Sequence, residues 1–94
     1  MNTEIRAELN KLMNLACDLN VAYDAAQSTK QVSFNMSLNS TSLNFFDVDN
    51  DCKSFKVFHL FHPKTYELDY VLSEFGEAEK FIINQIQLTK GETA

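Results

Sequence analysis

Apolar residues recur with two different periods along this chain. Ile5, Leu9, Leu12, Ala16, Leu19, Tyr23 and Ala26 follow one another at alternating steps of four and three. That spacing keeps them all on one stripe of an α-helix. Met13 and Leu15 flank the stripe, and neither Gly nor Pro interrupts residues 3–27. Asn2 or Thr3 can cap the start, where Glu4 also complements the helix dipole. Ser28, Thr29 and Lys30 end the pattern. At 1.5 Å per residue this helix reaches about 37 Å, against a diameter near 30 Å for a compact domain of this length. The spacing therefore predicts a helix that overhangs its own sheet or meets a second surface.

The period then falls to two. Val32, Phe34, Met36 and Leu38 alternate with Gln31, Ser33, Asn35, Ser37 and Asn39, as in a strand with one face on a core and one in water. Asn39-Ser40-Thr41 reads as a turn. Leu43 and Phe45 resume the alternation, but Phe46 and Val48 fall on the opposite parity; either a bulge near Phe45-Phe46 reconciles the two halves or the strand is covered on both faces at its end. Asp49-Asn50-Asp51 reads as a second turn. A strand follows from Lys53 to Phe61, with Phe55, Val57, His59 and Phe61 on one face and Lys56, Phe58 and Leu60 on the other. His62-Pro63-Lys64 turns the chain, because Pro cannot extend a ladder. Tyr66, Leu68 and Tyr70 alternate with Glu67 and Asp69 as a short fourth strand.

The last element reads as a helix capped by Ser73, with Glu74 and Glu77 in its first turn. Phe75, Ala78, Ile82 and Ile86 share one face, Ile83 lies beside them, and Phe81 and Leu88 project from nearly the opposite side. Lys90 and Gly91 stop it. The expected fold is α+β and two-layered: a long N-terminal helix, a three- or four-stranded antiparallel meander, and a C-terminal helix, with both helices on one sheet face. The other face would then carry Ser33, Asn35, Ser37, Asn44 and Lys56. It would also hold Phe46, Val48, Phe58 and Leu60, too many large apolar side chains to leave in water.

The length of 94 residues predicts a single domain, residues 1–94. No apolar run is long enough for a membrane span, and the first ten residues lack the apolar stretch of a secretory signal. Cys17 and Cys52, far apart, read as reduced thiols of a cytoplasmic protein. The net charge is −5. The basic residues are scattered, which disfavours direct nucleic-acid binding. The acids are gathered: Asp47, Asp49 and Asp51 in one stretch, and Glu67, Asp69, Glu74, Glu77 and Glu79 in another.

Tests for specific chemistry mostly fail. Asp47-x-Asp49-x-Asp51 begins like a calcium loop, but Cys52 stands where Gly is needed and Phe58 where a bidentate Glu is needed. His59 and His62, three apart on an extended chain, diverge, and no partner spacing completes a zinc site. Cys17 has no neighbouring His or Gly-rich elbow. Nothing separates the pKa values of Glu67 and Asp69 as acid–base catalysis requires. The reading is therefore of no enzyme, no cofactor and no metal.

The order helix, three strands, helix resembles that of double-stranded-RNA-binding domains, which grip phosphates with basic residues at the start of the last helix. Here that segment reads Ser73-Glu74-Phe75-Gly76-Glu77-Ala78-Glu79, which repels phosphate. The remaining expectation is a surface for a protein partner. It comprises the apolar Phe46, Phe58, Leu60, Phe81 and Leu88 beside the carboxylates Asp47, Asp49, Asp51, Glu67, Asp69, Glu74, Glu77 and Glu79. Aromatics would hold the contact and charge would steer it toward a basic nucleic-acid-binding protein. Small size and acidity fit an inhibitor of the kind that phages and mobile elements carry. The alternative is a homodimeric escort chaperone resembling the small acidic chaperones of type III secretion, with an apolar groove for an unfolded segment.

Overall fold

The computed structural model describes residues 3–36, 40–61 and 67–91. Helix α1 spans Thr3–Ala25, strands β1, β2 and β3 span Lys30–Met36, Thr41–Asp47 and Lys53–Phe61, and helix α2 spans Leu68–Thr89. The strands form one antiparallel sheet in the order β1-β2-β3. The two-layer α-β-β-β-α arrangement is the one expected from the alternation of periods. Leu38, Asn39, His62, Pro63, Lys64 and Tyr66, on which several of the expectations fall, lie outside the described residues.

Helix α1 buries Leu9, Leu12, Ala16, Leu19 and Tyr23, the stripe read from the sequence, with Ile5 packed at its margin. Ala26 stays exposed because the helix ends before it. Gln27 adopts a left-handed φ of 57°. The Gln27 N–H donates to the Asp24 carbonyl at 3.0 Å and the Ser28 N–H to the Tyr23 carbonyl at 2.9 Å. This pair of bonds is the Schellman closure, made here without glycine.

Helix α2 starts earlier than expected. Glu67 is its extended N-cap, and Asp69, not Glu74 or Glu77, occupies the acidic first turn. Ser73 lies inside the helix, and Leu68–Tyr70 are helical, so the expected fourth strand is absent among the described residues. Val71, Phe75, Ala78, Ile82 and Gln85 form a buried stripe at steps of four and three. That period runs back through Val71, and it overrides an alternation only three residues deep. Gly91, at φ 75°, and Lys90 donate to the last carbonyls and stop the helix as expected.

The largest correction concerns β3. Phe45 pairs with Lys56 but Phe46 pairs with Ser54, so Phe55 is an extra residue on β3. The irregularity sits where a bulge was expected, but on the neighbouring strand. An inserted residue reverses the facing of the residues after it up to the next insertion, which comes at Leu60, since Ser42 pairs with His59 but Thr41 with Phe61. Lys56, Phe58 and Leu60 consequently face the helices, while Val57 and His59 face away. Phe58 and Leu60, expected outside, are 7% and 0% exposed. Phe81, also expected outside, packs against the core. At 100° per residue it lies about 80° from the centre of the α2 stripe, within reach of β3 beneath.

The core is one cluster in which Phe45 and Phe75 are the largest sealed side chains. The Phe45 ring lies 4.7 Å from that of Phe81 and 6.1 Å from that of Phe58, both edge-on. Such edge-to-face packing adds specificity to burial. Helix α1 covers β1 and α2 covers β3. Tyr23 of α1 donates its buried hydroxyl to Gln85 Oε1 of α2 at 2.7 Å. Burial pushes the Tyr23 pKa up to about 12, since the phenolate would lose its hydration.

Candidate functional site

The helices cover one face of the sheet and leave the other open. The register places three rows across that open face: Gln31, Phe46 and Ser54; Ser33, Asn44 and Val57; Asn35, Ser42 and His59. No Asp, Glu, Lys or Arg stands in these rows. Phe46 is half-buried, as is Asn44, while Val57 is 41% exposed. Asn44 Oδ1, on the central strand, is shielded from solvent and has no hydrogen-bond partner among the described residues. A shielded, unpaired acceptor costs free energy that an incoming donor would recover.

The two edges of the sheet differ. Along β1, Asn20 of α1 donates through Nδ2 to the Val32 carbonyl and accepts through Oδ1 from the Val32 N–H, both at 2.9 Å. The amide substitutes for a neighbouring strand and closes that edge at its centre. This also fixes the phase of the ladder. Val32 points its backbone groups outward, so its partner Phe45 points its own toward β3 and bonds Lys56. Alternation in an antiparallel pair then turns Lys56 and Phe58 inward and Val57 and His59 outward. Nothing among the described residues bonds those outward groups.

Basic groups line β3. Lys56 Nζ lies 4.9 Å from the Phe58 ring centroid and 5.9 Å from that of Phe81, and Lys30 Nζ lies 5.3 Å from the Phe55 ring centroid. A groove of about 410 Å³ at the bulged end is lined by Lys30, Asp47, Asn50, Lys53, Ser54 and Phe55. Asp47 Oδ1 is already engaged there, accepting from the Thr29 hydroxyl at 2.7 Å and from the Asp49 N–H at 3.1 Å. Among the described residues, Lys30, Lys53 and Lys56 form no salt bridge.

The acids expected to act together are divided. Asp47, Asp49 and Asp51 stand at the β2–β3 turn, whereas Glu67 and Asp69 stand at the start of α2, beyond the opposite end of β3. Nine residues of strand separate the two groups by about 30 Å. Glu74 and Glu77 lie farther along α2; Glu77 meets Lys80 at 3.7 Å, and Glu79 meets Lys11 of α1 at 3.0 Å. The Glu79 bond and charge raise the Lys11 pKa. Of the apolar candidates, Leu88 at 51% and Val48 at 43% are exposed; Val48 continues the ladder past Phe46 through its N–H bond to the Thr29 carbonyl, whereas Leu88 lies on α2. A different grouping of charge does emerge. Helix α1 and the capped α2 hold nine carboxylates against four basic groups, while residues 30–61 hold three of each. The whole net charge of −5 therefore belongs to the helical layer.

Sequence reasoning missed Val57, His59 and Asn20. The only early signal for Val57 and His59 was that both faces of β3 read as apolar. For Asn20 there was none, since a polar residue beside a helical stripe is common. No described group of three or more His, Cys, Asp or Glu side chains is placed to hold a metal, and no described helix is long and apolar enough to cross a membrane. No protein family, curated protein or solved structure gives a significant match to this chain.

Proposed function

We propose that the protein is a non-catalytic binding module that attaches to a protein partner through its open sheet face and the adjoining edge of β3. The observation that carries this reading is the uncovered, uncharged face itself. It presents Phe46, Val57 and an Asn44 oxygen that no described residue bonds, and it runs without a break into a strand edge that no described residue bonds. Aromatic and β-branched side chains at such a site bury area with little loss of rotamer freedom. Absent charge removes the desolvation cost that a Lys or Glu would impose. The test compares proteins retained by the immobilised chain with those retained by two variants, Ser33→Lys/Val57→Lys and Asp49→Asn/Asp51→Asn. The reading expects a retained protein that the first variant loses and the second keeps. Loss with the acid-neutralised variant alone would overturn it.

The charge segregation favours a second reading, in which the helical layer meets a basic surface, such as that of a nucleic-acid-binding protein, and blocks it. Steering by such a layer makes association fast at low ionic strength and slow at high. An association rate that does not change with salt would remove that reading.

A further inference from the structure

We infer that the free edge of β3 accepts, as an added strand, an extended partner segment in which acidic residues alternate with apolar ones. This rests on the binding-module reading and names the partner chemistry. The contrast between the two edges is the starting point. The β1 edge is closed at Val32 by the Asn20 amide. The β3 edge is longer, at nine residues, contains no Pro, and leaves the N–H and C=O groups of Val57 and His59 unbonded by any described residue. Backbone groups so presented are a template for strand addition.

The side chains specify what would be added. Lys53, Lys56 and His59 are the only ionisable groups of β3, and all are basic. Lys56 rests on the Phe58 and Phe81 rings rather than on a carboxylate. Phe55 and Val57 are each 41% exposed. On an added strand, a carboxylate opposite Lys56 falls on the helix side, and an apolar residue opposite Val57 falls on the open side. Opposite charges and β-branched pairs are the favourable cross-strand neighbours. Asp49 and Asp51 in the turn beyond Lys53 confine the preference for acid to the position opposite Lys56. A second copy of this chain would bring two further lysines to the same edge, so the complementary occupant is an acidic segment.

The test uses capped hexapeptides Glu-Val-Glu-Val-Glu-Val and Lys-Val-Lys-Val-Lys-Val with the isotope-labelled full chain, read by amide hydrogen exchange. The inference expects the acidic peptide to slow exchange at Val57 and His59 by roughly tenfold or more, the basic peptide to leave it unchanged, and Lys53→Glu/Lys56→Glu to reverse the preference. Equal protection by both peptides, or none, overturns it. Protection at Val57 and His59 that appears without peptide and grows with protein concentration also overturns it, since a second copy then holds the edge. If the acidic peptide perturbs Asn44 and Phe46 but not the Val57 and His59 amides, the edge inference falls while the open-face reading stands. If the lysate comparison fails while the edge amides are protected, the reverse holds.

Discussion

Removing the Asn20 amide tests whether one side chain closes the β1 edge. Asn20→Ala deletes two partly buried hydrogen bonds to Val32, each 2.9 Å long. Each such bond contributes about 1 kcal/mol net, so the loss is about 2 kcal/mol. That is a large share of the ~5–15 kcal/mol available to a domain of this kind. With a urea m-value of about 1 kcal/mol/M, the unfolding midpoint should fall by roughly 2 M. Asn20→Asp separates the two bonds. Its carboxylate can still accept from the Val32 N–H, but at neutral pH it faces the Val32 carbonyl with no proton to donate. Its deficit relative to the unsubstituted protein should therefore shrink as pH falls through the carboxylate range near 4. Urea titrations followed by circular dichroism at pH 7 and pH 4 measure both effects. A loss under about 0.5 kcal/mol for Asn20→Ala, or an Asn20→Asp deficit that ignores pH, would refute the closed-edge account.

Three further outcomes follow from the packing. Leu60→Ala should cost about 2–5 kcal/mol, as for a sealed core leucine, while Val57→Ala on the open face should cost under about 1 kcal/mol; the reverse order in denaturant melts would restore the unbulged facing of β3. Tyr23→Phe leaves Gln85 Oε1 unpaired and should cost about 1–2 kcal/mol at neutral pH. The Tyr23 pKa is raised in the folded chain to about 12, above the ordinary value near 10. The contribution of the neutral phenol is thus complete below pH ~10 and is lost as pH rises toward ~12. The stability gap between the unsubstituted protein and Tyr23→Phe should narrow over that window, and a constant gap would contradict the burial of the hydroxyl. Gly76 sits within α2 with open space where a methyl group would stand, so Gly76→Ala should stabilise by about 1 kcal/mol in thermal or urea unfolding.

Much of the fold was legible because each long element repeats its period several times. The α1 stripe from Leu9 to Tyr23 has no competing alternation, and the structure buries those residues. Where the record is short, local pattern misleads. Tyr66, Leu68 and Tyr70 show a strand period only briefly, and the helical stripe beginning at Val71 claims Leu68–Tyr70 instead. The facing of β3 was not legible at all. Its bulge residue Phe55 is as apolar as its neighbours, so no polar position marks where the alternation resets. That slip moved Phe58 and Leu60 from an imagined outer surface into the core. Proximity of the acids was equally hidden: Asp47–Asp51 and Glu67–Asp69 are separated by β3, which runs the length of the sheet.

Amide hydrogen exchange along β3 in the free protein at low concentration tests the central claim most directly. If the bulge at Phe55 sets the phase and the outer edge is free, the Lys56 and Phe58 amides exchange slowly while those of Val57 and His59 exchange fast. Slow exchange at Val57 and His59, or fast exchange at Lys56 and Phe58, would mean that the strand is phased otherwise or its edge already occupied, and the proposed binding surface would be lost.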